Sequence, residues 1–251
     1  MISSAAIAAA ATMLQIQLHE YAHAVFAVWE TGSATVHGTM ETHPELPGTD
    51  EAAIAIAGPV FSLTLAVIVY AVSRPLPGGY LRAFLTWMSL SAAQGTFGYL
   101  MIAAFVPVGD TAVAFAEWGI PLAGYIVAGL IGLAGMLLNS FLLSREITRF
   151  FSDPADVLAA SVWTWLLATA ILAVVYVSVA LISGQEAEMF VAITVGPTTA
   201  LVFAPMATFF WQKTPHLRRP WRQGTAGVQA TVLIVVVAIV LWHAFFPVAI
   251  G

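Results

Sequence analysis

Seven stretches of this chain, at about 2–28, 52–72, 83–105, 118–143, 157–182, 189–211 and 227–248, run for twenty residues or more with almost no charge. A helix needs about 20 predominantly apolar residues to cross a hydrocarbon core. Only a helix or a closed barrel satisfies its backbone hydrogen bonds there without water. The reading that follows is an all-α integral membrane protein of about seven transmembrane helices. Composition agrees: 21 of the 251 residues are charged, 8 basic and 13 acidic, where a soluble domain of this length carries roughly 63. Mean hydropathy is +0.91.

The same scarcity removes other classes. Eight basic residues against thirteen acidic ones leave no electropositive footprint for nucleic acid. The absence of cysteine removes disulfides, thiolate zinc sites and cysteine nucleophiles. The first residues lack the basic segment of a signal peptide, so the first stretch is expected to stay in the mature protein.

On a seven-span path, Arg74 and Arg82, Arg145 and Arg149, and the cluster Lys213, Arg218, Arg219 and Arg222 all fall on one side. The positive-inside rule makes that side cytoplasmic, with the N-terminus inside and the C-terminus outside a multi-pass cell-membrane protein. The cluster at 213–222 reads as a topology anchor, with contact to anionic lipid as the other reading. The longest connection, 30–51, is acidic and contains an alternating piece, 35–40, suited to a short strand. Gly124, Ala128 and Gly132 are four apart and suit a close helix–helix seam, and Pro197 and Pro205 are expected to kink the sixth stretch.

Inside the first stretch stands His19-Glu20-Tyr21-Ala22-His23. Residues four apart share a helix face, so both imidazoles can reach one metal ion, while Glu20, offset by about 100°, lies beside the ion. Such a glutamate can take a proton from a zinc-bound water, whose pKa zinc lowers to about 7. With so few His and Glu residues, random placement gives about 0.005 such motifs per chain. Two histidines need a third ligand. Asp110, after the third stretch and on the same side as the histidines, is the first choice and Glu117 the second. Ala57-Gly58-Pro59 permits a close backbone approach, and Ser62 is placed to hydrogen-bond a substrate or ligand. Gln15, one turn before His19, is either a hydrogen-bond partner of an imidazole or a packing residue. His37 and His43 read as solvated loop histidines, and His243 as an interfacial one.

These residues resemble the site-2 protease family of intramembrane zinc metallopeptidases. The resemblance rests on the His19–His23 motif, Ala57-Gly58-Pro59 and Asp110 after Pro107. It implies a three-helix catalytic core over 1–115, with an additional four-helix region at 116–251. It also implies Zn2+ on His19, His23 and Asp110, Glu20 as the base, and a short β-hairpin after the first helix. The substrate would be a membrane protein or peptide, cut in or near a membrane-spanning segment. Ser62 stands where the family usually has Asn, and Gly109 and Thr111 flank Asp110 where it usually has Leu and Gly. Two other readings compete. One is a non-proteolytic membrane-complex subunit retaining a metalloprotease-like metal site, suggested by the altered third-ligand segment. The other is a metal-ion transporter, which lacks a second ligand site along a path.

Overall fold

The structure, a computed structural model, describes residues 2–37, 40–46, 48–106, 109–151, 153–182, 195–211 and 226–251. Its central element is α1 (Ile2–Thr31), whose first half is almost all small residues. Ala5, Ala8, Ala9, Ala10 and Ala11 are at most 1% exposed, because an alanine face lets neighbouring helices approach closely. Around α1 pack α2 (Thr49–Ser73), α3 (Tyr80–Ile102), α7 (Thr164–Ile182) and α8 (Ala226–Phe245).

The start of α2 follows Gly48, whose φ of 70° favours glycine, and Asp50 and Glu51 lie in its first turn, where the helix dipole stabilises negative charge. A short helix, α4 (Asp110–Glu117), packs on α2. Then α5 (Leu122–Thr148) lies along α3. A Cβ added to Gly132 would come within 2.5 Å of Met101 N and 2.6 Å of Phe97 O, so the small-residue spacing serves packing within the chain. From Pro154, α6 (Pro154–Leu158), a π-helical turn (Ala159–Trp163) and α7 form one apolar rod. Pro205 lies in a 3₁₀ turn, Ala204–Met206, that interrupts the short apolar segment Val195–Phe210.

Seven spans and an isolated hairpin are not what the structure contains. Among the described residues, three helices are long and apolar enough to cross a membrane: Thr49–Ser73, Leu122–Thr148 and Pro154–Leu181. The other expected spans fall short for two reasons. Gln15, Gln17, His19 and His23 on α1, and Arg82, Ser89, Ser91, Gln94 and Thr96 on α3, are polar side chains turned inward, and they dilute both helices. Toward the end of the chain, Val195–Phe210 and Ala230–His243 are apolar but short; residues 189–194 of the expected sixth stretch lie outside the described residues, as do Lys213 to Arg222. The strand β1 (Ala34–Val36) is the middle of a three-stranded sheet, not half of an isolated hairpin. On one side it pairs antiparallel with β2 (Glu41–Thr42), on the other with β3 (Val248–Ile250), with Thr35 opposite both Thr42 and Ala249. Gly38 and Thr39, within the piece expected to be extended, lie outside the described residues. The chain is a multi-helix, multi-pass membrane protein in which α1 is surrounded by α2, α3, α7 and α8.

Candidate metal centre

One turn apart on α1, His19 and His23 are 5% and 7% exposed. Their Nε2 atoms are 3.1 Å apart. Asp110 Oδ2 lies 2.9 Å from His19 Nε2 and 3.4 Å from His23 Nε2. These separations match the edge of a ligand tetrahedron, about 3.3 Å for metal–ligand bonds of 2.0–2.1 Å.

The far sides of both rings are tied down. His23 Nδ1 lies 2.7 Å from the carbonyl oxygen of Ile54, an acceptor only, so Nδ1 carries the proton and Nε2 presents its lone pair to the centre. His19 Nδ1 lies 2.8 Å from Ser62 Oγ. With the proton on Nδ1 and donated to that oxygen, His19 Nε2 is a lone-pair donor as well. Gln15 Nε2 donates to the same Ser62 oxygen at 3.1 Å, and Ser91 Oγ donates to Gln15 Oε1 at 3.2 Å. Gln15 is therefore one step removed from the imidazole, not in contact with it.

Glycine is required twice. A Cβ on Gly58 would stand 2.2 Å from His23 Nε2 and 2.7 Å from His19 Cε1, so the bare backbone of α2 is what lets the rings sit where they do. One residue later, the Pro59 carbonyl accepts from Thr96 Oγ1 of α3 at 2.7 Å. Gly109, with φ 87°, turns the chain into α4, and a Cβ there would meet the Tyr99 ring at 2.8 Å. This turn delivers Asp110 to the histidines across 91 residues of sequence. Burial alone raises the Asp110 carboxyl, but the hydrogen bonds and charges of His19 and His23 outweigh it and hold it well below the usual carboxylate range.

His19, His23 and Asp110 thus form a group able to hold a metal ion, with one ligand atom from each within 4.8 Å of the others. Glu20 is half-buried on the same helix. The second-choice ligand, Glu117, is at the opposite end of α4, about 10 Å along its axis from Asp110. His243 is not an isolated interfacial residue: its Nε2 lies 2.7 Å from Tyr21 Oη. His43 bridges Glu41 and Glu51, with each ring nitrogen 3.0 Å from a carboxylate oxygen. Burial lowers its pKa and the two carboxylates, Glu51 first, more than offset this, so it is raised. His37 Nε2 is 3.2 Å from Thr42 Oγ1.

Ile54, Ser91, Thr96 and Tyr99 were not singled out by the sequence. Spacing from the motif identifies none of them, because they reach the centre through the packing of α2 and α3 on α1. Pro107, which the sequence pattern places before Asp110, lies outside the described residues.

The triad is on α1 and α4, and neither is among the three helices long and apolar enough to cross a membrane. The expectation of an intramembrane catalytic site, and with it an intramembrane endopeptidase, is corrected on that finding. Comparison with protein families, with curated proteins and with solved structures gave no match.

Proposed function

We propose that this protein is a subunit of a membrane complex that holds a divalent metal ion at His19, His23 and Asp110 and does not use it for proteolysis. The observation that carries the reading is the convergence of two imidazole lone pairs and a carboxylate, from helices 91 residues apart, with spacings of 2.9–3.4 Å. A nitrogen and oxygen donor set with no thiolate suits zinc among the common ions. When bound, the ion supplies a double positive charge that stabilises the clustered donors. Ser62 and the Ile54 carbonyl hold the two rings in the ligating tautomer, and Gly109 sets the carboxylate. The centre then ties α1 to α4 and, through α4, to α2.

Metal analysis of the purified full chain tests this. About one zinc per chain is expected, with none in the His19→Ala, His23→Ala double variant and a lower Tm for that variant. Glu20→Gln is expected to match the parent in metal content, Tm and recovery of copurifying membrane subunits. A parent chain free of metal after purification in zinc-containing buffer overturns the proposal.

A second reading, a zinc metallopeptidase working outside the three spans, is favoured by Glu20, which follows His19 on the same helix as in the site-2 protease family that the motif resembles. If the parent cleaves a peptide substrate and the metal-loaded Glu20→Gln variant does not, this reading replaces the first.

A further inference from the structure

At the other end of α1, about 22 Å from His19 along the helix axis, lies a second buried polar cluster. Arg82, at the start of α3, is 1% exposed and Glu146, near the end of α5, is 3% exposed. Arg82 donates to Glu146 through Nε, at 3.2 Å, and through Nη2, while its Nη1 donates to the carbonyls of Arg74 at 3.0 Å and Leu76 at 2.6 Å. The same carboxylate receives Arg149, with Nη1 at 3.2 Å from Oε1, and has Arg74 Nε at 4.0 Å.

The charges do not balance. Among the described residues three guanidiniums face one carboxylate, an excess of two positive charges. Helix dipoles do not remove it: the C-terminal ends of α2 and α5 favour cations, but the N-terminal ends of α3 and α6 at the same place act oppositely. Asp153 and Asp156, at the start of α6, are exposed, and among the described residues neither forms an ion pair with these arginines. Arg82 is fully engaged by protein acceptors. Arg74 and Arg149 have fewer acceptors: Arg74 donates to Tyr70 Oη at 3.1 Å, and Arg149 has Glu146 as its ion-pair partner among the described residues.

The place is as informative as the charge. Two apolar helices end here, at Ser73 and Thr148, and the third begins here, at Pro154, which puts the cluster at the level of lipid headgroups. Beside the arginines lies a cleft between helices whose walls include Arg82 and Glu146, the acid that Arg149 meets, together with Ser4, Trp87, Ile147 and Phe150. Basic sites between membrane helices recognise the phosphates of anionic lipids.

We infer that Arg74 and Arg149, braced by the Arg82–Glu146 ion pair, form a binding site for the phosphate of an anionic phospholipid, whose acyl chain enters the cleft beside Trp87 and Phe150. The inference is independent of the metal centre.

Native mass spectrometry of the full chain in neutral detergent tests it, with phosphatidylglycerol, phosphatidylcholine of the same chain length, and inorganic phosphate as probes. The parent is expected to retain phosphatidylglycerol about tenfold better than phosphatidylcholine. In R74Q/R149Q, which keeps Arg82 and Glu146, that preference is expected to vanish while zinc content and Tm stay those of the parent. Raising salt from low to high is expected to erode the preference in the parent itself, a reading that needs no variant to fold. Displacement of the lipid by inorganic phosphate identifies the phosphate as the group recognised. Equal retention of the two lipids by the parent, or an unchanged preference in R74Q/R149Q, overturns the inference. Phosphate binding without any lipid preference assigns the site to a free anion and overturns the lipid assignment.

Discussion

At the His19 end of α1, two imidazoles and a carboxylate turn lone pairs toward one another; at the Ser4 end, three guanidiniums turn N–H groups toward a single carboxylate. Both clusters are buried, both join α1's surroundings across long sequence separations, and both contain one acid. They differ in what completes them. The first is a set of acceptors that a cation would draw together, and its rings are fixed from behind by Ser62 and the Ile54 carbonyl. The second already holds its own ion pair, Arg82 with Glu146, and is left with positive charge to spare. The first is built for a ligand at its centre, the second for its own stability with a ligand at its rim. Removing the acid should therefore have different consequences at the two ends.

The largest effect is expected from Glu146→Ala. Breaking a buried pair leaves Arg82 charged and unpaired, a loss of about 3–5 kcal/mol. Unfolding of the purified chain in mixed micelles measures it. A double variant, Arg82→Met with Glu146→Leu, is expected to recover most of the loss; if it is as unstable as the single one, the ion pair is not what is being removed.

Gly58→Ala ranks second. The new methyl overlaps both rings, so overpacking costs about 1–3 kcal/mol and zinc content falls, whereas Gly98→Ala, with open space at its Cβ position, is expected to leave metal content unchanged. Equal zinc in the two variants would separate Gly58 from the centre.

Ser62→Ala keeps all three ligands and frees one ring, for which a 10- to 100-fold loss of metal affinity is expected. Competition with a chelator reads this directly, and an unaltered affinity shows that His19 needs no anchor.

The smallest effect belongs to His43. Its folded-state pKa is raised, so the clamp between Glu41 and Glu51 contributes its full stability below the ordinary histidine value of about 6.5 and loses it as pH rises through the raised value. The contribution is small, because burial of the His43 ring opposes what the two carboxylates gain. Between pH 5.5 and pH 8.5 the parent is expected to lose slightly more thermal stability than His43→Gln; parallel pH curves would dissolve the clamp.

The two ends were not equally legible. His19 and His23 declare themselves through helical periodicity, and Asp110 through its place after the third stretch, on the same side as the histidines. Gly58 was readable as a site of close backbone approach, though not what approaches it. The arginine cluster was legible only as a set of topology markers, because nothing in sequence order tells that Arg82 and Glu146, 64 residues apart, share hydrogen bonds. Span number was misread for a related reason. Length and low charge pick out α1 and α3 as spans, but neutral Gln, Ser and Thr side chains do not register in a count of charges, and these are what fill the interior between the two helices. The strand β3 was invisible, since three residues, Val248, Ala249 and Ile250, look like the tail of an apolar stretch until β1 supplies a partner.

That pairing sets an order of events. β3 lies more than 200 residues after β1 in the chain, and α8, whose His243 meets Tyr21, is made long after α1. During synthesis α1 emerges first with its histidines, while one wall of its surroundings does not yet exist. Contacts of such long sequence separation form late, and the chain emerges at about 5–20 residues per second. For roughly ten seconds or more, then, the nascent protein carries a metal-ligating helix whose lateral cover is missing, and the joining of its first strand to its last marks the moment at which that helix is enclosed.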